Sequence, residues 1–372
     1  MPAIIESITT QLVDLPTIRP HRLSMTTMAC QTLVIVRLRT SDGIEGIGEG
    51  TTIGGLSYSA ESPESIKCNI DAWMAPLLIG QPADNINALM ARLDRHVRGN
   101  AIARSALETA LLDSQGKRLG VSVAELLGGA VHKHLAVLWT LASGDTQKDI
   151  DEAFQRLDER RHQQFKLKLG ANALRDDLRH VESICAALDG RAGVQVDINQ
   201  AWDEATAVQG IAALEAAGVA LIEQPISARN VCGLTRLANR FRVPMLADEA
   251  VQDTGDGLTL LSAGFSGAFA LKIAKAGGPR GALALARTAQ AGGIGLYGGT
   301  MLEGTIGTAA SLHAWSALPS LEWGTEMFGP LLLKDDIVTE GLRYHEFGVD
   351  LPRGPGLGIA LDEDRLRFYS RP

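Results

Sequence analysis

Hydrophobic residues near the start of the chain fall into short runs typical of β-strands. Positions 4–15 and 32–39 are rich in Ile, Val, Leu and Thr, and a Ser-Asp-Gly turn at 41–43 leads into another run at 44–49. Runs with many β-branched residues, separated by turn residues, predict strands that pair through hairpins. The pattern therefore predicts a small antiparallel sheet.

Helical spacing replaces this pattern between about residues 62 and 129. The Ser-Pro-Glu sequence at 62–64 has the residue types of a helix cap and first turn, and further helices are predicted at 86–97 and 101–119. Strands followed by helices predict an α+β domain, which we assign to residues 1–130.

Short β-branched runs alternate with helical stretches after about residue 133. Eight runs recur at a nearly constant spacing, each followed by a polar or Gly-rich turn and, for most, by a helical pattern. They lie at 135–141, 165–169, 194–198, 220–223, 243–247, 267–273, 293–297 and 321–326. Eight successive βα units predict a parallel (β/α)8 barrel, a TIM barrel, over residues 131–333. The pattern then stops, and we expect residues 334–372 to return to the first domain.

A doubly wound parallel sheet is the alternative to the barrel. That fold would need a Gly-rich phosphate-binding turn after its first strand. The Ala-Ser-Gly-Asp sequence at 142–145 is not such a turn, so the barrel is favoured.

Composition and charge exclude several classes of protein. The chain has 35 Lys and Arg against 43 Asp and Glu, a formal net charge of −8, and shows no basic run. This argues against nucleic acid or an anionic membrane as a partner. The four cysteines are far apart, which argues against a disulfide framework and a thiolate zinc site. The acidic N-terminus does not resemble a secretory signal, and no apolar run approaches the roughly 18 residues of a membrane span, so we expect a cytoplasmic protein.

Charged residues stand where most of the barrel runs end, at a spacing of one per βα unit. Catalytic groups of such barrels lie at the carboxyl ends of the strands, so these positions predict an active site. They are Lys166 and Lys168, Asp197, Glu223, Asp248, Lys272 and Glu326.

The three acids Asp197, Glu223 and Asp248 are predicted to lie side by side on neighbouring strands. Converging carboxylates in an apolar barrel repel one another unless a cation neutralises them. Ligation by oxygen alone selects Mg²⁺ or Mn²⁺ over zinc, so we predict a site for Mn²⁺ or Mg²⁺.

The lysines are candidates for proton transfer. Lys166 and Lys168 are two residues apart on one strand and share a face, so each charge, together with the cation, is expected to lower the pKa of the other. Lys168 is nearer the strand end and is the candidate acid or base, with Lys166 orienting it. Lys272 is expected to face Lys168 across the mouth. Glu326 is expected to hydrogen-bond Lys272 or the substrate, with a structural ion pair as the alternative.

Two weaker motifs have simpler interpretations. The His-Lys-His sequence at 132–134 has the spacing of a metal motif but no third ligand near it in the sequence, so a solvated segment between domains is favoured. The Gly-Gly-Thr sequence at 298–300 follows the seventh run and is either an anion site or a turn.

This arrangement of lysines and acids resembles the enolase superfamily, whose sites pair Lys or His bases with a divalent metal. The motifs at 165–170, 196–200, 221–225, 247–249 and 270–275 are similar to those of the muconate lactonizing subgroup. Further stretches extend the resemblance to the muconate cycloisomerase family along essentially the whole chain. They lie at 14–20, 48–55, 139–145, 297–303 and 324–329.

The resemblance implies roles for individual residues. It implies metal binding by Asp197, Glu223 and Asp248, acid/base catalysis by Lys168, and a proton-donor position for Glu326. It also implies that the first domain caps the barrel mouth with two loops, at 17–21 and 51–58. Ile53 and Tyr58 of the second loop match substrate contacts of the family.

The implied reaction is the reversible cycloisomerisation of cis,cis-muconate, a dicarboxylate, to muconolactone. It belongs to the breakdown of catechol and benzoate through the β-ketoadipate pathway. The resemblance also implies a homo-oligomer, with an octamer as one form.

Three other functions compete with this one. Chloromuconate cycloisomerases resemble the sequence too, although Lys275 and Phe328 are similar to the residues of the type that acts on unsubstituted muconate. A dipeptide epimerase or N-acylamino-acid racemase would use Lys168 and Lys272 as two bases. A non-catalytic barrel that binds acidic metabolites is the third alternative, which the retention of every charged site position disfavours.

Overall fold

The N-terminal sheet has three antiparallel strands in the order β1-β2-β3. A computed structural model of the chain describes residues 2–22 and 26–371, without the side chain of Arg22. The strands are β1 (Ile5–Arg22), β2 (Thr27–Thr40) and β3 (Glu45–Thr51). The predicted small sheet is therefore confirmed.

The segment 17–21, expected to be a loop, is the end of β1 instead. Its pairing with β2 shifts register between Pro16 and His21, and then resumes with His21 opposite Met28. Despite this irregularity, the strand continues beyond the run at 4–15 that the sequence pattern identifies.

A set of helices packs on this sheet. They are α1 (Pro63–Asn69), a π-helical turn (Ile70–Met74), α2 (Ala75–Leu78), α3 (Ile86–His96), α4 (Ala101–Leu119) and α5 (Val123–Leu126). Ser62 caps α1 as predicted, since its hydroxyl accepts from the backbone N–H of Ser65. Helix α4 lies close against β3, where a Cβ added to Gly46 or Gly48 would come within 2.0 Å of a backbone oxygen of α4.

The second part of the chain contains a seven-stranded parallel sheet. Its strands are β5 (Trp139–Leu141), β6 (Gln164–Lys168), β7 (Gly193–Asp197), β8 (Leu221–Glu223), β9 (Met245–Ala247), β10 (Ala268–Leu271) and β11 (Gly295–Gly298). They follow one another in sequence order across the sheet. The helices between and after them are α6 (Thr146–Asp158), α7 (Leu174–Leu188), α8 (Glu204–Ala216), α9 (Val231–Arg240), α10 (Thr254–Ser262), α11 (Pro279–Ala291) and α12 (Thr305–Ser316).

The eighth run, 321–326, is not a regular strand. Its chain turns at residues 322–323, and Gly324 has a φ of +68°. Thr325 alone bridges to Gly298 at the end of β11 and to Val137 just before β5. These bridges join the two ends of the curled sheet, so the eighth position of the predicted barrel is filled by bridges at a single residue.

The first run, 135–141, divides into two strands. Its first half is β4 (His134–Ala136), which pairs antiparallel with β13 (Gly348–Asp350), and β13 pairs in turn with β12 (Tyr344–His345). Farther along, α13 (Glu363–Tyr369) contacts β1, and Ser370 bridges to Val13.

Glu49 joins the N-terminal sheet to the barrel. The side chain of this β3 residue accepts hydrogen bonds from the backbone N–H groups of Gly304 (2.7 Å) and Gly307 (2.9 Å), at the start of α12. The positive end of a helix dipole favours an acidic group at this place. The contact holds the sheet beside the barrel mouth.

Within the described ranges, 2–22 and 26–371, none of the helices combines the length and the apolar character needed to cross a membrane.

Candidate active site

The carboxyl ends of the barrel strands bring the predicted charged residues together. Lys168, Asp197 and Glu223 are the last residues of β6, β7 and β8, and in the sheet register Asp197 pairs with both of the others. Asp248 follows the end of β9 and Lys272 follows the end of β10. The rule that locates barrel chemistry at strand ends therefore identifies a real cluster.

A cavity opens at this edge. All of the predicted site residues except Lys166 line it, namely Ile53, Tyr58, Lys168, Asp197, Glu223, Asp248, Lys272 and Glu326. Phe328, which the resemblance linked to the type of substrate, also lines the cavity, and so do His21 and Thr300, from segments with a predicted role at the mouth. The rest of the lining, namely Thr140, Asn199 and Leu302, had no individual role predicted.

Lys166 lies outside this lining, in a buried ion cluster. Its Nζ lies 2.6 Å from Glu223 Oε2 and 2.6 Å from Glu326 Oε2, and 4.6 Å from the centre of the Tyr297 ring. Burial acts to lower the pKa of Lys166, but these two carboxylates outweigh it and hold the pKa well above the usual range. Lys166 is therefore a fixed cation.

Lys168 borders the cavity with its Nζ 2.5 Å from Asp197 Oδ2. Burial and the nearby Lys166 ammonium act to lower the pKa of Lys168, but Asp197 and two further carboxylates give a net rise. The expected effect of Lys166 on the pKa of Lys168 is therefore present, although the carboxylates outweigh it. Lys168 is thus held as an ammonium.

Asp248 is the centre of a second cluster. Lys272 Nζ donates to its Oδ2 (2.7 Å), Lys275 Nζ donates to its Oδ1 (2.5 Å), and the Tyr58 hydroxyl donates to Oδ2 (2.7 Å). Burial acts to raise the pKa of Asp248, but the two ammonium groups outweigh it and the net pKa is lowered. Lys272 faces the cavity beside this carboxylate, and its pKa is raised despite burial, chiefly by Asp248.

Glu326 accepts hydrogen bonds from Lys166, from the Tyr297 hydroxyl (3.0 Å) and from the backbone N–H of Thr300 (3.1 Å). Burial acts to raise the pKa of Glu326, but Lys166, Lys272 and Lys168 lower it more. These partners favour the carboxylate form, which accepts hydrogen bonds and has no proton to give.

Negative charge remains in excess at the strand ends. Burial and the neighbouring Asp197 raise the pKa of Glu223 well above the usual range. Burial and Asp248 raise the pKa of Glu249 to about 7, and Glu249 Oε2 is buried without a hydrogen-bond partner. Raised carboxyl pKa values and a buried unpaired oxygen mark a place where a cation lowers the energy. The all-oxygen donor set therefore fits Mg²⁺ or Mn²⁺.

Two residues, Tyr297 beside Glu326 and His21 in the cavity lining, were not singled out individually by the sequence analysis, for different reasons. Tyr297 is the last residue of the run at 293–297, so the strand-end rule would have found it had it not been limited to charged residues. His21 lies on the strand extension that the sequence pattern missed. Its pKa is lowered to about 3 by burial and then by Lys168, so its ring is neutral.

Comparison with known proteins gives consistent matches. Residues 7–128 match the family described as the mandelate racemase / muconate lactonizing enzyme N-terminal domain, and residues 148–365 match the enolase C-terminal domain-like family. Muconate cycloisomerase 1 of Pseudomonas putida is 57% identical over 96% of both chains. A chloromuconate cycloisomerase of Delftia acidovorans is 46% identical over 99% of both chains.

The fold agrees with these matches. A crystal structure of the muconate lactonizing enzyme from Pseudomonas fluorescens, complexed with muconolactone, superposes with a TM-score of 0.99 and 57% identity over 100% of both chains. The predicted fold class, a TIM-type barrel with an α+β capping domain, is confirmed by this likeness. The chain therefore belongs to the mandelate racemase / muconate lactonizing enzyme family of the enolase superfamily.

Proposed function

We propose that this protein is an isomerase, a muconate cycloisomerase, which converts cis,cis-muconate reversibly to muconolactone. The observation that carries the proposal is one cavity in which Lys168 and Lys272 border a set of buried carboxylates. A dianionic substrate needs cationic groups around it, and these lysines supply them. The relatives named above support the choice of muconate as the substrate.

Members of the enolase superfamily bind a divalent metal ion. We assign the ligands here to Asp197, Glu223 and Asp248, and the ion to Mn²⁺ or Mg²⁺. The support for this assignment is the oxygen-only donor set and the excess of buried negative charge. A bound dication would stabilise negative charge that develops on a substrate carboxylate in the transition state.

Lys168 is the proposed acid. As one carboxylate of muconate adds to the conjugated double bond and closes the lactone, the carbon next to the other carboxylate must gain a proton. Lys168 donates it from Nζ, and in the reverse direction the neutral amine removes it. The raised pKa supports this assignment, because it keeps the proton on Nζ before the reaction.

Lys166 and Glu326 act together as positioning residues in this proposal. Lys166 is held between Glu223 and Glu326, so it fixes one proposed metal ligand in place. Glu326 stays ionised next to three lysines, which favours the role of an ion-pair partner over that of a proton donor.

Lys272 is assigned to charge compensation on the side of the cavity where Asp248 lies. A racemase or epimerase would need a second base there, and Lys272 meets that requirement only as a neutral amine. Its raised pKa disfavours this, so the two-base alternative is the weaker one.

Ile53 and Tyr58 are the proposed substrate contacts from the N-terminal domain. Both line the cavity, and Tyr58 reaches Asp248 and Lys272 through its hydroxyl. A segment that closes over a reaction excludes water from it. We therefore propose that the 51–58 segment covers bound muconate.

We propose unsubstituted muconate as the preferred substrate over chlorinated forms. Phe328 lines the cavity and packs edge-on against Trp139, with ring centres 5.4 Å apart. A wall of two packed rings resists movement, so an added chlorine would meet a firm surface. The chloromuconate relative is also less similar than the muconate relative, at 46% against 57% identity.

Loss of the ultraviolet absorbance of the conjugated diene tests the proposal. Purified protein with Mn²⁺ and cis,cis-muconate should remove the absorbance, and EDTA should prevent this. Lys168→Ala should abolish the activity, whereas the exposed Lys148→Ala should keep it. An active Lys168→Ala variant would refute the assignment of Lys168. Absence of any loss by metal-loaded protein would refute muconate as the substrate, and α-proton exchange from dipeptides in deuterated water would then indicate an epimerase.

The remaining assignments are proposals of the same kind. We propose an α+β capping domain at 1–130, a barrel at 131–333 and a C-terminal segment at 334–372 that returns to the capping domain. The contact of α13 with β1 supports the last of these. We also propose a cytoplasmic homo-oligomer, with an octamer as one form, that has neither nucleic acid nor a membrane as partner.

A further inference from the structure

The His-Lys-His sequence at 132–134, set aside for want of a third ligand, gains two partners in the fold. His134 lies on β4, Asp350 on β13 and His345 on β12, and these three strands are adjacent in one sheet. His134 pairs directly with Asp350, and His345 pairs with Gly348, two residues before Asp350. Residues two apart on a strand share a face, so all three side chains lie on the same face of the sheet.

Their donor atoms are close together. His134 Nδ1 lies 2.9 Å from Asp350 Oδ1, and His345 Nε2 lies 3.0 Å from Asp350 Oδ2. In a tetrahedral site with metal–ligand bonds of about 2.0–2.1 Å, neighbouring ligand atoms stand roughly 3.3 Å apart. Within residues 2–22 and 26–371, these three side chains form the one group of three or more His, Cys, Asp or Glu residues whose ligand atoms all lie within 4.8 Å of one another. Small side-chain adjustments would bring the three atoms to a metal's distances.

The orientation of His345 also points to a bound ion. Its Nε2 is buried and has no hydrogen-bond partner, although Asp350 Oδ2 is only 3.0 Å away. An N–H group at that distance normally aligns with the oxygen, whereas two metal ligands both direct their lone pairs at a third point. This orientation of His345 is therefore more typical of shared ligation than of an ordinary His–Asp pair.

The surroundings support the same conclusion. A Cβ added to Gly348 would lie 2.4 Å from His134 Nε2, so the glycine leaves the room that the imidazole occupies. The same Nε2 lies 3.4 Å from the backbone oxygen of Glu346. A ligating histidine typically donates its other ring N–H to a carbonyl in this way, which leaves Nδ1 free for the metal.

We propose that His134, His345 and Asp350 form a second metal site that binds Zn²⁺ and fastens the β12–β13 hairpin to β4. Two imidazoles and one carboxylate suit zinc, whereas the oxygen-only set at the barrel mouth suits Mg²⁺ or Mn²⁺. The new site precedes the amino end of β5, whereas the active-site cavity lies at the carboxyl ends of the strands. Residues at the amino end of a barrel serve stability, so the site is structural.

Zinc titration by calorimetry tests the proposal on the whole protein with Mg²⁺ in large excess. We expect His345→Ala to bind one Zn²⁺ fewer per chain than the parent, or to bind that ion more weakly. Loss of an outer-shell partner weakens metal binding by roughly 10- to 100-fold, and loss of a ligand should weaken it by more than this. The matched control is His132→Ala, because His132 belongs to the same motif but faces the backbone oxygen of Pro319. It should bind as many zinc ions as the parent. Equal zinc binding by the parent and His345→Ala would overturn the proposal.

A second measurement uses the parent protein, so it tests the site even if His345→Ala fails to fold. Crystals of the parent soaked in Zn²⁺ should show anomalous scattering at the zinc edge between His134, His345 and Asp350. Zinc should also raise the Tm of the parent and of His132→Ala, since a ligand that binds only the folded state stabilises it. Absence of anomalous density between these three side chains would refute the site.

Discussion

The Tyr58 hydroxyl of the N-terminal domain donates a hydrogen bond to Asp248 Oδ2 at the end of a barrel strand, over 2.7 Å. The same hydroxyl accepts one from Lys272 Nζ over 2.9 Å. Burial and then Asp248 raise the pKa of Tyr58 well above the usual range, so the hydroxyl keeps its proton and remains a donor. One side chain thus links the 51–58 segment to a proposed metal ligand and to a lysine that lines the cavity.

Removing that hydroxyl should weaken closure of the covering segment more than the chemistry. A hydrogen bond to a charged group contributes about 1.5–3 kcal/mol, so Tyr58→Phe should lose at least about tenfold in kcat/KM. We expect most of the loss to appear as a higher KM, because the lost hydrogen bond serves closure of the covering segment. The phenyl ring still fills the place of the Tyr58 ring, so kcat should change less. Steady-state kinetics measure the split, with the neighbouring exposed Ser57→Ala as the control. An unchanged KM would contradict the role assigned to Tyr58.

The buried cluster around Lys166 should respond strongly to loss of its cation. Lys166→Met leaves Glu223 and Glu326 buried without the ammonium that both contact at 2.6 Å. Breaking a buried ion cluster in this way costs about 3–5 kcal/mol, and urea unfolding followed by circular dichroism should show that loss. The exposed Lys148→Met is the comparison variant. A loss below about 1 kcal/mol would show that the two carboxylates take up protons or solvent without penalty.

Glu49 makes the free energy of unfolding depend on pH. Burial raises its pKa from 4.5 to about 7, despite hydrogen bonds from Thr51 and the backbone. The folded chain therefore holds a proton at Glu49 that the unfolded chain releases, and stability from this group falls as pH rises between about 4.5 and 7. A shift of this size corresponds to about 3 kcal/mol.

Glu49→Gln removes this titration. The difference in free energy of unfolding between Glu49→Gln and the parent should therefore move by up to about 3 kcal/mol in favour of the variant as pH rises from 4.5 to 7. Taking the difference cancels the titration of groups that do not interact with Glu49. Urea unfolding at a series of pH values supplies the numbers, and a difference that stays constant across that range would refute the assignment.

Arg19 and Glu152 form an ion pair that joins the end of β1 to helix α6. Arg19 Nη1 lies 2.7 Å from Glu152 Oε2, and Glu152 Oε1 also accepts from Trp139 Nε1 at 2.9 Å. Glu152→Gln should raise KM by about fivefold, as expected for a partly exposed ion pair of about 1 kcal/mol. Because salt screens such a pair, high ionic strength should raise the parent's KM toward that of the variant. Glu159→Gln is the control, because Glu159 directly follows α6 and pairs with Arg156, and it should not change KM.

The parts of the fold that depend on local periodicity can be predicted from the sequence alone. The alternation of short apolar runs with helical stretches predicted the strands β5 to β11, and the charges at the ends of most runs predicted six of the side chains that line the cavity. Both follow from the geometry of a parallel strand, which fixes where its last residue points. The cap at Ser62 and the bounds of α4 were predicted for the same reason, since a helix end is set by a few adjacent residues.

Tertiary structure alone decided the contacts between those elements. The direction in which the pKa of Lys168 shifts depends on Asp197, whose Oδ2 lies 2.5 Å from Lys168 Nζ. No spacing in the sequence gives that distance. The turn at 322–323 and the register shift in β1 were missed because their backbone is shaped by the strands beside them. His134 finds its partners only because β13 folds back beside β4. Electrostatic and ligand geometry act through space, so they are settled when distant segments of the chain come together.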